Sequence, residues 1–378
     1  MRRLTAPCVL ATLVLATGCA TVHIRQIDPD ARIALPADHA PHPRAQTEWW
    51  HVHADLTDVQ TDEQVHLFAG FVTERTDLDS VAGLPIAPLA NPYQTAYVQI
   101  VTERGGVQRG RYSFPLGSVR SASDGLDLRH GPWRIAWEEG AVIIEVGAGR
   151  QHLRLRLDPT RPTTIPGGGG PVQIVPGTRH LWYQDEGMAA QGRWSDRGQT
   201  RWVTGTAFFK HQWGRLYDPD VQGFEWFSFD LPGERSVVVV KVHSGGRTDG
   251  PGSLAFISTA GGPPRRIDAQ QIDLERTARW RSPASGASWP VAWRLSSDHE
   301  VPMDLQVDAL HHDQELVVFP AAFYAGPVRV RGRFDGQDVD TIGFVEHVGG
   351  WAPALRPLYR SDQPEEEPPP VLARGEVT

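Results

Sequence analysis

The chain has 378 residues, 40% apolar and 22% charged, the balance of a soluble globular protein with room for two domains at roughly 100–200 residues each. This composition excludes a polytopic membrane protein and a mostly disordered chain. A net charge of −8 argues against a nucleic-acid partner, because such proteins neutralise phosphates with a basic stripe.

Both cysteines lie at the N-terminus, and with 13 Trp against 2 Cys the chain has aromatic bulk and no disulfide framework. Arg2 and Arg3 precede an uncharged, mostly apolar stretch over residues 4–17, and Ala16-Thr17-Gly18-Cys19 then follows the small-residue pattern of a bacterial lipoprotein signal. The expectation is a signal peptide over residues 1–18, with Cys19 lipidated and the protein held in the cell envelope. Ala20 favours the periplasmic side of the outer membrane. The alternative is an uncleaved helix, although Thr5, Pro7, Thr12, Thr17 and Gly18 make it a poor membrane span. Residues 19–37 read as a polar, Pro-rich tether and residues 358–378 as a disordered tail carrying Glu365, Glu366 and Glu367.

Between these ends the pattern repeats every two residues. Leu153, Leu155 and Leu157 alternate with arginines, as do Val328 and Val330, and residues 224–231 and 236–243 flank a Pro232-Gly233-Glu234 turn. Short strands with no strand-then-helix rhythm predict a mostly β protein built as barrels or sandwiches. Residues 167–170, four glycines between prolines, read either as a linker or as a mobile loop.

Four segments carry candidate chemistry. In 47–56, strand parity puts Glu48 on the apolar face with Trp50, Val52, Ala54 and Leu56, and puts Trp49, His51, His53 and Asp55 on the other. In 205–214, Phe209, His211 and Trp213 share a face. Glu225 shares its face with Phe227 and Phe229, and Glu346 with Phe344 and Val348. A carboxylate on an apolar face must be paired, hydrogen-bonded or protonated. It is then either a proton donor with a raised pKa or the partner of a buried arginine or of backbone amides. His51 and His53 have metal-ligand spacing, with Asp55 on the same face, but no further ligand is evident. A surface-facing polar strand is the expectation, with no metal and no cofactor.

Taken together, these segments resemble the lipocalin-like family of carotenoid 1,2-hydratase (hydroxyneurosporene synthase) and the AttH-type predicted hydrolases. The resemblance is carried by Asp38-His39-Ala40-Pro41-His42-Pro43, Glu48-Trp49-Trp50-His51, His211-Gln212-Trp213-Gly214, Phe224-Glu225-Trp226 and Gly343-Phe344-Val345-Glu346. It implies two tandem lipocalin-like antiparallel β-barrel domains, 38–220 and 221–357, with the glycine run inside the first. It also implies a lipophilic small-molecule partner, with activity either as a hydro-lyase or as a hydrolase; a non-catalytic carrier is the rival. His211 and Trp213 match the family's His-x-Trp pair, and Glu225 is its nearest acidic match. The expected catalytic set is Glu225 as a protonated acid with His211 and Trp213, and the expected ligand-binding set is Trp49, Trp50, Trp226, Glu48, His51 and Glu346. Lys210 stands where the family usually has Asp.

Overall fold

The computed structural model describes residues 24–75, 80–81, 84–85, 93–114, 119–121, 125–174, 177–215, 221–244, 252–260, 262–318 and 321–349. The signal segment with Cys19, the expected boundary at 220 and the C-terminal tail lie outside the described residues. Strands β1 (Thr47–Asp58), β2 (Gln64–Glu74), β3 (Ser80–Val81), β4 (Leu84–Pro85), β5 (Tyr93–Thr102), β6 (Gly106–Phe114), β7 (Val119–Ser121), β8 (Asp127–His130), β9 (Trp133–Glu138), β10 (Ala141–Ala148), β11 (Gln151–Asp158), β12 (His180–Asp196) and β13 (Gln199–Gly214) make the first half. The second half is β14 (Val221–Leu231), β15 (Arg235–Ser244), β16 (Leu254–Thr259), β17 (Gly262–Ile267), β18 (Asp273–Arg281), β19 (Ser288–Ser297), β20 (Met303–Ala309), β21 (Glu315–Val318), β22 (Ala321–Phe334) and β23 (Gln337–Val348).

Both halves are wired alike. The first sheet runs β6-β5-β2-β1-β13-β12-β11-β10-β9-β8-β7 and the second β17-β16-β15-β14-β23-β22-β20-β19-β18, with β21 on β22. In each, the chain starts mid-sheet, meanders to one edge, crosses to the far edge and returns, so that its last strand pairs antiparallel with its first. The fold is therefore mostly β, two large antiparallel sheets in tandem. The first sheet curls until β10 meets β5 and β6, which nearly closes a barrel. Only glycine fits at that seam, because a Cβ on Gly110 would stand 2.7 Å from the Gly147 carbonyl oxygen.

Alternation works as read. On β11 the leucines are buried against the first core while Arg154 is exposed, and Val328 and Val330 belong to the second core. The predicted hairpin forms with Leu231 opposite Arg235, and Gly233 supplies the turn with φ of 77°. The glycine run forms tight turns between β11 and β12, inside the first sheet's span.

One expectation fails here. Over residues 24–37 the segment read as a tether is folded: Ile27, Ala31, Ile33 and Leu35 pack against the first core, and Ile33 N–H donates to Gly169 O at 2.9 Å. A 3-10 turn, Ala37–His39, then brings residues 38–42 over the mouth of the first barrel. Prolines set the backbone, but the spaced apolar side chains decide where it docks.

The outer faces of the two sheets pack together. Trp182 meets Trp226 and Phe256 on one side, and Phe68 and Tyr97 meet Leu316 and Ala325 on the other.

Candidate functional site

Between these two apolar patches lies a buried polar cluster drawn from both sheets. Its centre is Glu346 on β23. One carboxylate oxygen accepts from Lys210 Nζ at 2.9 Å and from His53 Nε2 at 3.0 Å, and the other from His51 Nδ1 at 3.0 Å. An ionised carboxylate only accepts, so both imidazoles point N–H at it and leave their second nitrogens as acceptors. Tyr97 O–H therefore donates to His51 Nε2 at 2.6 Å, while His53 Nδ1 has no hydrogen-bond partner among the described residues.

Strand parity explains the convergence. His51 and His53 on β1 and Lys210 on β13 point away from the first barrel's interior, with His51 directly opposite Lys210 in the register. The walls are aromatic: His53 stacks between Phe208 and Phe344, and Lys210 Nζ lies 3.6 Å from the Trp226 ring centre. Burial works to raise Glu346, but Lys210 and the two imidazoles hold it well below the usual carboxylate range. Burial pushes Lys210 down, partly offset by Glu346, and pushes His53 down to about 4. A cavity of about 40 Å³ borders His53, Phe208 and Phe344, which is room for water.

A second cluster fills the mouth of the first barrel. Glu48, fully buried, accepts from His211 Nε2 at 2.9 Å, from His42 Nδ1 at 2.8 Å and from the His42 backbone N–H at 2.9 Å. His42 Nε2 faces Asp38 at 3.3 Å. With a carboxylate at each nitrogen, His42 is an imidazolium: burial pushes it down, but Asp38 and Glu48 prevail and hold it at about 9. Burial likewise works to raise Glu48, and the imidazoles His211 and His42 bring it to about 2. Trp50 and Trp213 stack on His211 and His42, and Tyr183 bonds His39 Nδ1 at 2.6 Å.

The expected catalytic set does not assemble. Glu225 lies inside the second barrel, while His211 and Trp213 lie inside the first. Glu225 is not a protonated acid either. Burial works to raise it, but His347, His243 and Arg276 hold it well below the usual range. Arg276 grips both its oxygens at 3.0 and 2.9 Å, His243 Nε2 and His347 Nδ1 stand 3.0 and 3.2 Å away, and Trp293 Nε1 donates at 2.9 Å. This is the buried-arginine alternative. The aromatic lining divides too: Trp50 and Trp213 face the first barrel's interior, and Trp226 faces the interface.

The reading of His51 and His53 as a surface strand also fails. Both are buried, because the second sheet covers them, and Glu346 is the third ligand-type group that was missing. Asp55 is not part of the cluster; it pairs with His66 at 3.0 Å.

The sequence matches the AttH-like family over residues 26–349. The chain belongs to that family. No curated protein matches. Among solved structures, an AttH protein from Nitrosomonas europaea is similar at 22% identity and a TM-score of 0.74, covering 87% of this chain and 100% of that one. Kievitone hydratase from Nectria haematococca is similar at 14% identity and a TM-score of 0.68, covering 87% of this chain and 96% of that one. At these identities the likeness establishes the fold.

In this AttH-like chain, sequence reasoning missed Lys210, Tyr97 and His53 as partners of Glu346, and His42 as the partner of Glu48. One signal was available. Lys210 alternates with His211, so a lysine amid Phe208, Phe209 and Trp213 had to face something able to pay for its burial. Tyr97, on a strand of ordinary β composition, carried none.

Proposed function

We propose that this AttH-like protein binds a lipophilic molecule between its two sheets and adds water across a carbon–carbon double bond, with the chemistry at Glu346. The supporting observation is the meeting, at one carboxylate shared by both sheets, of a buried ammonium and an imidazole with a free acceptor nitrogen among the described residues, the imidazole also bordering a water-sized cavity and all of them walled by aromatic rings. In this reading the Lys210 ammonium delivers a proton to one alkene carbon, forming a C–H bond as the π bond breaks. The adjacent cation is faced by the Trp226 ring. Water from the cavity beside His53 forms the C–O bond and gives its proton to His53 Nδ1. Glu346 touches both His53 and Lys210, so the proton returns to the amine through it. That kievitone hydratase shares the fold is consistent with this chemistry.

A non-catalytic carrier is the second reading. It is favoured by one observation: the cavity of ligand size, about 590 Å³, lies at the seam of the first barrel against Tyr112, Trp133, Arg111 and Arg193, away from Glu346. Either reading suits a protein tethered in the cell envelope through Cys19, which belongs to the same proposal.

The test incubates the full chain with a lipid extract and follows species by mass spectrometry. Products heavier by one water, formed by the wild type and lost in Glu346→Gln and His53→Gln, support the hydratase. Retained but unchanged molecules in all three proteins favour the carrier.

A further inference from the structure

Among the described residues three buried glutamates face histidines, and two of them also face a lysine or arginine: Arg276 grips Glu225, and Lys210 bonds Glu346 at 2.9 Å. Glu48 has neither at hydrogen-bond distance among the described residues. Its side-chain partners are His42 Nδ1 and His211 Nε2, 2.8 and 2.9 Å from the same oxygen.

We infer that Glu48, His42 and His211 form a zinc site at the mouth of the first barrel. Two imidazoles and a carboxylate are a ligand set for Zn²⁺ that leaves a fourth position open. With Zn–N and Zn–O bonds of about 2.0–2.2 Å, tetrahedral ligand atoms stand about 3.3 Å apart, so the present hydrogen-bonded spacings need to widen by roughly half an ångström. The ion takes the place of both protons that now bridge to Glu48: His42 Nδ1 releases its proton to solvent, and His211 frees Nε2 by carrying its proton on Nδ1 instead.

The surroundings fit a ligand rather than a plain ion pair. Asp38, fixed by the Ala34 N–H at 2.6 Å, faces His42 Nε2, the carboxylate–histidine pairing that orients metal-bound imidazoles. Both rings are held by stacking, His42 on Trp213 with centroids 4.0 Å apart and His211 on Trp50 at 4.5 Å. His42 is half-buried at the barrel mouth and offers the entry path, whereas Glu48 and His211 are wholly inside. The other His/His/Glu group, His51, His53 and Glu346, fits a metal poorly because the Lys210 ammonium already stands at its carboxylate. Zinc at Glu48 would also clamp residues 38–42 onto the barrel.

Equilibrium dialysis of the full chain against Zn²⁺, followed by metal analysis, tests this. One ion retained per wild-type chain is expected, with retention lost in His42→Gln and weakened roughly 10- to 100-fold in Asp38→Asn, which keeps all three ligands. Co²⁺ substitution is expected to give a tetrahedral visible spectrum in the wild type and not in His42→Gln, with circular dichroism confirming that each variant is folded. No retained ion, or retention unchanged in folded His42→Gln, overturns the site. Retention that depends on Glu346 and not on His42 overturns it as well.

Discussion

In both barrels a glutamate on the first strand meets a histidine on the last, Glu48 with His211 and Glu225 with His347, yet the two pairs are neutralised in different ways. Glu225 is locked by a bidentate arginine and an indole N–H inside a closed hydrophobic core. Glu48 relies on imidazoles and sits where the N-terminal segment enters. The interface repeats the contrast. Glu346 is held ionised by Lys210, while Glu186 on β12 is bonded by Gln184 and by Ser258 Oγ at 3.0 Å, and burial pushes it up to about 7. A buried carboxylate beside a buried cation stays ionised at rest, and its resting charge changes little with pH. One held by neutral or titratable partners remains responsive.

Removing the fixed cation should break that distinction most severely at Glu225. Arg276→Met strands a fully buried carboxylate, and about 3–5 kcal/mol of stability should be lost in urea unfolding. A loss below about 1 kcal/mol would show that His243 and His347 alone can hold the charge. At Glu346, Lys210→Met should cost less, about 2–3 kcal/mol, because His51 and His53 can each take up a proton in its stead. The sign with pH follows. In the variant those histidines lose the Lys210 charge that helps burial hold them down, so they take up a proton more readily at low pH and their compensation fades as pH rises. The deficit against wild type should therefore be larger at pH 8 than at pH 6, and a pH-independent deficit would sink the explanation.

How much of this was legible in the sequence depends on the range of the interaction. A two-residue period placed Glu48, Glu225 and Glu346 on buried faces, because side-chain direction is a local property of a strand. What neutralises each was hidden, since the partner arrives from elsewhere in the chain: Arg276 lies 51 residues from Glu225, and His51 lies 295 from Glu346. His51 and His53 looked solvent-facing because one barrel's outer face is solvent-facing until a second barrel covers it. Residues 24–37 looked like a tether because Pro and charge dominate the composition, while Ile27, Ile33 and Leu35 decide the docking.

The mildest tests concern carboxylates without a locked partner. Glu186→Gln keeps the shape and can keep the bonds, its amide oxygen accepting from Gln184 and Ser258 and its NH₂ donating to Thr164 Oγ1, now 3.3 Å from the carboxylate. The folded pKa of Glu186 is raised, so wild type carries that contribution in full below about pH 4.5 and loses it as pH climbs through about 7. The glutamine variant has nothing to lose, so thermal or urea unfolding should find it more stable by about 1–3 kcal/mol at pH 8 and indistinguishable near pH 4. Equal stability at both pH values would mean that Arg161, which bonds Ser236 Oγ at 3.0 Å nearby, already neutralises Glu186.

Smallest of all should be the loss of an exposed pair. Arg265 and Glu300 meet at 2.7 Å, shorter than the Lys210–Glu346 contact, but both side chains stand more than half in solvent. Water screens the attraction, and ordering two long side chains offsets most of what remains. Arg265→Ala should therefore shift stability by no more than about 0.5 kcal/mol, less still in high salt, although its ion pair is the closer of the two. If it cost as much as Lys210→Met, distance rather than desolvation would govern these charges, and the contrast between Glu225, Glu346 and Glu48 would lose its physical basis.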